Sequence, residues 1–288
     1  MLLKKILIMS SIVFIIGINI SFAQDSGMSP QEKHARLEYL YRTAMDYFKQ
    51  GKYSNAIYYW QAILNLDPTQ TQPEKQIKEA RNMIKSQTDP VYEEVRRLYK
   101  KGEYVLSQEK ILVLLDIDSA NQYYRKLYNK LQEVVEIFSV LNKDDKVSSL
   151  LRKAVVYYLD KKTNIRYSYI FCRYAAELSK DNQAALEFKR ILEENYTEIT
   201  EKESSIEGMN FIEQSLFVAL DHIRKGRYDL AIGKCNDVLL VEPDNILALK
   251  RLGSAYYMMK KKDKSSEIWE KALKLSPNDA ELKKFLNK

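Results

Sequence analysis

Four positions recur at one spacing in separate parts of the chain, and this spacing constrains the fold more than any other feature. Gly51, Tyr53, Ala56 and Pro68 form the first set, and Gly226, Tyr228, Ala231 and Pro243 repeat it with the same offsets. Gly102, Tyr104 and Ser107 form a third set, with Ser119 at the proline position. A fourth set lacks the glycine, but Pro243 and Pro277 lie 34 residues apart. A period of that length suits a unit of two helices joined by a turn, which cannot bury its apolar face alone and must stack on neighbours. Apolar residues make up 45% of the chain, enough for a continuous core, and only 8 Gly and 6 Pro in 288 residues argue against a turn-rich all-β protein.

The residue types at these positions have physical roles. Ala44, Ala56, Ala219, Ala231 and Gly253 are small and allow the two helices of a unit to approach closely. Tyr, Trp and Leu at the intervening inward positions then fill the space between layers. Gly51, Gly102 and Gly226 suit the left-handed residue that ends a first helix. Pro68, Pro243 and Pro277 end the second helix and turn the chain toward the next layer.

The pattern resembles the tetratricopeptide repeat, which places Leu-Gly, Tyr, Ala, Phe and Pro at set intervals in two helices. The clearest copy is 246–279, with Leu249, Leu252, Gly253, Tyr256, Trp269, Ala272 and Pro277. Copy 212–245 carries Ala219, Gly226, Tyr228, Ala231 and Pro243; copy 37–70 carries Leu40, Ala44, Tyr47, Gly51, Tyr53, Ala56, Trp60 and Pro68. Copy 88–121 is weaker, with Val95, Leu98, Gly102, Tyr104, Ser107 and Ile111. The resemblance implies an all-α helical-hairpin solenoid, a TPR-like superhelix, with inserted helices where the period breaks and a capping helix at its C-terminal end.

The breaks lie between the copies. Gly51 and Gly102 are one and a half repeats apart, and the surplus is 73–86, where Ile77, Ala80 and Ile84 recur at helical spacing. A second insert, 120–141, places Tyr124, Leu127, Leu131, Val134, Val135 and Phe138 on one broad stripe. Each insert reads either as a degenerate first helix of another repeat or as an unpaired helix. Residues 146–181 read as a degenerate hairpin, lined by Leu150, Ala154 and Tyr158 and then by Ile170, Tyr174 and Ala175, followed by a helix over 183–196. The acidic stretch 193–208 reads as a hinge or as a solvated helix extension. The apolar residues Ala280, Leu282, Phe285 and Leu286 mark the terminal cap. The expected divisions are a leader at 24–36, an N-terminal array at 37–141, the degenerate hairpin, extra helix and acidic hinge at 142–207, and a C-terminal repeat pair with its cap at 208–288.

Residues 1–23 stand apart. Lys4 and Lys5 precede an apolar run from Ile6 to Ile20, and Ser21-Phe22-Ala23 then places small residues at −3 and −1 of a cleavage site. This describes a secretory signal peptide cleaved after Ala23, and export, to a periplasm, is the expected destination. The alternative is an uncleaved N-terminal membrane anchor. Cleavage removes two lysines and lowers the formal net charge from +7 to +5, too small and too interspersed a surplus to suggest nucleic-acid binding. Cys172 and Cys235, on second helices of different hairpins, are expected as buried thiols, with a disulfide as the competing possibility.

Chemistry finds no foothold in the sequence. The two histidines, His34 and His222, lie far apart, and His222 falls at an inward position and is expected to be packed in the core. No metal-ligand spacing, phosphate loop or nucleophile turn appears, so neither cofactor nor metal is expected, and an enzyme is not expected. An enzyme with a carboxylate site assembled by folding ranks far behind.

What the resemblance implies instead is a protein-binding groove lined by the first helix of each hairpin. Carried onto this chain, the groove positions include Tyr41, Met45, Phe48 and Lys49, then Tyr92, Arg96, Tyr99 and Lys100, then Leu220, Arg224, Lys250 and Tyr257. Aromatics beside bases suit a peptide with apolar anchors and some acidic character. The competing possibility is that an inserted helix packs into the groove and buries these aromatics. The functional expectation is therefore an exported adaptor or scaffold holding a protein partner in the cell envelope. A self-associating subunit of a secretion, pilus or flagellar assembly is the alternative.

Overall fold

A computed structural model of the protein describes residues 28–138, 145–162, 164–202 and 205–287, so the signal peptide expected at 1–23 lies outside the described residues. Among the described residues the secondary structure is entirely helical. The chain divides into two compact units between Met83 and Ile84.

The first unit is built from α1 (Pro30–Lys49), α2 (Tyr53–Leu66) and the beginning of α3 (Thr71–Lys101). A capping box starts α1: Ser29 Oγ accepts from the Glu32 N–H, the Glu32 carboxylate accepts from the Ser29 N–H at 2.8 Å, and Pro30 occupies the first helical position. Leu40, Ala44, Ala56, Trp60 and Ile63 form the core of the α1–α2 hairpin, and Ile77 and Ala80 of α3 close it.

The segment expected as a separate inserted helix is instead continuous with the first helix of the 88–121 copy, as the single 31-residue helix α3. Its inward positions explain the fusion. Ile77, Ala80, Ile84, Thr88, Val95 and Leu98 are all buried and keep helical spacing on both sides of Pro90. Pro90 gives up one backbone hydrogen bond, and the helix runs through it.

The second unit holds the rest of α3 and α4 (Tyr104–Ile117), α5 (Gln122–Ile137), α6 (Lys146–Leu159), α7 (Ile165–Leu178), α8 (Gln183–Asn195) and the short α9 (Thr197–Lys202). The C-terminal repeats follow as α10 (Phe211–Arg224), α11 (Tyr228–Val241), α12 (Ile246–Met258), α13 (Lys262–Leu275) and the cap α14 (Ala280–Leu286). Helices α6 and α7, α10 and α11, and α12 and α13 pack together as consecutive pairs, α11 packs on α12, and α14 packs on α13. The second insert, α5, is not unpaired: it packs on α4, α6 and α8. Tyr124, Leu127, Leu131, Val134 and Phe138 are buried, whereas Val135 is only partly so.

One turn geometry ends the first helix of all four copies. Gly51, Gly102 and Gly226 have φ of 75°, 88° and 71°, and Lys260, at the corresponding place in the last copy, has φ of 62°. In each, the residue after the turn donates back to the carbonyl five positions earlier: Lys52 to Tyr47, Glu103 to Leu98, Arg227 to His222 and Lys261 to Tyr256, at 2.8–3.0 Å. The missing glycine of the fourth copy thus leaves the backbone geometry intact and places a side chain where one is disfavoured.

Helix α7 is the centre of the second unit. Nine consecutive residues, Ser168 to Ala176, are buried, because α6, α8, α10 and α11 surround it. A polar seam joins α7 to the C-terminal repeats. Arg166 makes two hydrogen bonds to Asp237, at 2.7 and 2.5 Å. Arg173 bridges Glu177 and Gln214, each at 2.9 Å, and Glu177 accepts the Phe211 N–H at the start of α10. Glu242 gathers Tyr174 and Lys146. Asp237 is buried and also faces Lys234 at 3.9 Å, so removing Arg166 would leave this buried carboxylate with one distant cation in place of two close hydrogen bonds.

Candidate partner-binding site

The structure separates the twelve expected groove residues into exposed, packed and paired groups. In the first unit Tyr41 and Lys49 are exposed and Met45 is half-buried. Phe48 packs inside its hairpin, with ring centres 5.2 Å from Tyr53 and 5.5 Å from Trp60. In the second unit Tyr99 is fully buried, a correction to its expected place on a surface. Burial, with Asp160 nearby, pushes its phenol well above the ordinary tyrosine value. Tyr92 is held by α5: its hydroxyl lies 2.7 Å from that of Tyr123, and its ring packs against Tyr123 and Tyr124. Two aromatics of the inserted helix thus pack against this expected groove residue, which is half-buried.

Two of the expected cations are also spoken for. Arg96 pairs with Glu93 at 3.1 Å and Asp160 at 3.7 Å. Lys250 pairs with Asp279 at 3.2 Å and with Glu281, both at the cap. Lys100, Arg224 and Tyr257 remain exposed, with Leu220 half-buried, and the Tyr257 ring lies 5.7 Å from that of Trp269. His222 is half-buried instead of packed in the core, and burial, then Arg227, lowers its pKa. Cys172 and Cys235 are buried free thiols; burial pushes both up, Cys235 to about 12. Among the described residues no three His, Cys, Asp or Glu side chains group to hold a metal ion.

The cleft that does combine charge with apolar surface centres on α6. Its inward residues Leu150, Leu151, Ala154, Val155 and Tyr158 are buried. Ser149, Arg152, Lys153, Val156 and Tyr157 recur at i, i+3, i+4, i+7 and i+8 and therefore share another face. With Lys100 of α3, Phe171 of α7 and Leu240 of α11 they line an open cleft of about 430 Å³. Tyr157 stacks on Phe171 with ring centres 5.7 Å apart and planes 13° apart, and Lys153 Nζ lies 5.5 Å from the Phe171 ring. No acidic residue lines the cleft, and neither Lys100 nor Lys153 has an ion-pair partner among the described residues.

A larger cleft, about 570 Å³, lies beside α7 and α8, but of its charged lining residues all except Lys180 pair with one another. There Lys189 and Tyr169 hold Glu193, and Arg173 holds Glu177.

A family model for the tetratricopeptide repeat matches residues 37–70 and 246–279, which are the α1–α2 and α12–α13 hairpins. This is a tetratricopeptide-repeat-like chain. The hairpins at 88–121 and 212–245 share the same turn geometry, so the backbone repeat extends beyond the matched segments. Among solved structures, the TPR2AB-domain:pHSP90-complex of yeast Sti1 aligns over 88% of this chain and 82% of its own, with 12% identity and a TM-score of 0.27. The P58(IPK) TPR domain aligns over 88% and 77%, with 18% identity and a TM-score of 0.27. At such scores the tetratricopeptide assignment rests on the matched segments and the internal geometry, and neither alignment bears on the site. No curated protein sequence matches the chain.

Sequence reasoning named Lys100 but missed Arg152, Lys153, Tyr157 and Phe171. The helical spacing of the α6 face was present in the sequence. Its meeting with Lys100 and Leu240 was not, since those residues come from distant helices.

Proposed function

We propose that this chain is a protein-interaction scaffold whose α6 cleft holds an acidic partner segment with an aromatic or aliphatic anchor. The observation that carries this reading is the cleft's composition: Lys100, Arg152 and Lys153 surround a Tyr157–Phe171 floor with no acid among the lining residues. Carboxylates of the partner find the Lys100 and Lys153 ammonium groups there, and an apolar anchor finds a stacked aromatic pair. Tyr41 and Lys49 in the first unit, and Leu220, Arg224 and Tyr257 in the second, are proposed as additional partner contacts.

The N-terminal pattern supports a further proposal, that the scaffold is exported and works in the cell envelope. Sequencing the N-terminus of the protein purified from its native cells tests this, since cleavage after Ala23 leaves Gln24 first.

The cleft is tested by fluorescence anisotropy with two labelled peptides, one alternating Glu or Asp with Phe and Leu, the other carrying Lys in place of each acid. The acidic peptide should bind more tightly, and Lys100→Glu with Lys153→Glu should weaken it by at least about tenfold without loss of helicity, with binding falling as salt rises. Equal binding of both peptides, or an unchanged affinity in the double variant, would sink the assignment.

A further inference from the structure

A second surface, on the opposite logic of charge, lies on α4. Its inward side chains Tyr104, Ser107, Ile111 and Leu114 are buried, as a hairpin requires. Yet Val105, Leu106, Leu112 and Val113 on its outer face are 48%, 49%, 50% and 45% exposed. Aliphatic rows on the outer face of a helix, beside its buried stripe, are a second surface suited to being covered.

The repeat supplies its own comparison. Counted from the left-handed turn residue, the same four positions of α13 are Asp263, Lys264, Glu270 and Lys271. In α2 they are Ser54, Asn55, Gln61 and Ala62, and in α11 Asp229, Leu230, Asn236 and Asp237. Only α4 has four aliphatic residues there, so the repeat's own packing does not demand them.

The charges on this face say what would cover it. At 3.6 residues per turn, Val105 and Leu112 form one aliphatic row and Leu106 and Val113 another, with Glu109 and Asp116 in the strip between them. Both acids are exposed, and neither has an ion-pair partner among the described residues. We infer that the outer face of α4 docks a helix of another protein that presents aliphatic side chains flanking a row of Lys or Arg. Aliphatic rows pack ridge into groove while the basic row meets Glu109 and Asp116. A second copy of this chain is a poor occupant, because a self-complementary pairing sets the acidic strip against itself. This surface is distinct from the α6 cleft and prefers the opposite charge, so one chain would join two dissimilar partners.

The test uses the full mature chain carrying Lys100→Glu and Lys153→Glu, so that the α6 cleft does not contribute. The probes are two labelled synthetic helices with identical Leu and Val rows, one with Lys between the rows and one with Glu. The lysine helix should bind, and Leu106→Lys with Val113→Lys should weaken it at least tenfold. Glu109→Lys with Asp116→Lys should reverse the preference toward the glutamate helix. Because all four positions are exposed, helicity and Tm should persist in both variants, which separates lost docking from lost folding. The inference is overturned if the lysine helix fails to bind at millimolar protein, or binds with affinity indifferent to both variants. It is also overturned if the unsubstituted chain sediments as a dimer that Leu106→Lys with Val113→Lys converts to a monomer.

Discussion

Gly253→Ala offers a sharp test of the packing between α12 and α13, because the helix preference and the packing push in opposite directions. In a helix interior, replacing Gly by Ala ordinarily gains about 1 kcal/mol. At position 253 the new Cβ would lie 2.3 Å from Trp269 Nε1 and 2.4 Å from Trp269 Cδ1. The indole has little freedom to retreat: Trp269 is buried, its ring lies 4.8 Å from that of Phe285, and its N–H donates to the Lys250 carbonyl at 3.2 Å. Forcing it aside costs about 1–3 kcal/mol of overpacking, and losing its hydrogen bond about 1 kcal/mol more. Net destabilisation of about 1–3 kcal/mol follows after the helix gain is subtracted. Gly233→Ala is the matched control, since that glycine lies within α11 with nothing within 4 Å of the added Cβ. It should stabilise by about 0.5–1 kcal/mol. Urea unfolding followed by circular dichroism and tryptophan fluorescence measures both. Gly253→Ala as stable as the parent chain, or Gly233→Ala equally destabilised, would refute the reasoning.

The remaining expectations concern the turns, the buried hydroxyls and one buried amine. Lys260→Gly should stabilise by about 0.5–1 kcal/mol by removing a side chain from a left-handed residue, read as a higher urea midpoint; no gain would mean the turn relaxes freely. Ser107 and Ser265 occupy the same repeat position, but Ser107 Oγ donates to the Val95 carbonyl at 3.1 Å whereas the buried Ser265 hydroxyl has no protein partner. Ser107→Ala should therefore cost about 1 kcal/mol and Ser265→Ala should be neutral or stabilising, so equal effects would count against the hydrogen-bond assignment. Burial lowers the pKa of Lys130 from 10.5 to about 8, with Glu133 partly opposing. The unfolded chain thus binds the extra proton between those values, and this group's penalty, full below about pH 8, is relieved as pH rises toward 10. In paired melts the parent should gain on Lys130→Met between pH 7.5 and about 9.5, and a flat difference would show the amine is solvated.

The turns and inward positions were legible because they depend on contacts inside one repeat. A left-handed residue selects glycine, a close helix approach selects Ala44, Ala56, Ala219 and Ala231, and all four alanines are fully buried. The groove was less legible. Tyr92 and Tyr99 share a helix face at seven-residue spacing, but one is half-buried beneath α5 and the other fully buried. Lys250 was assigned to a partner because its acids, Asp279 and Glu281, belong to the cap beyond its own hairpin.

The 34-residue template also set a boundary at residue 88 that α3 ignores, since its apolar stripe continues through Pro90. By itself, then, the sequence determined the helical hairpins, their turns and their inward faces, all products of local backbone preference and short-range periodicity. Only the tertiary structure decided which aromatics remained available, how Arg166 reached Asp237 71 residues away, and that Lys100 met Lys153 over one aromatic floor. Those outcomes depend on which helix covers which face, and side-chain periodicity marks a face as apolar or charged without naming its neighbour.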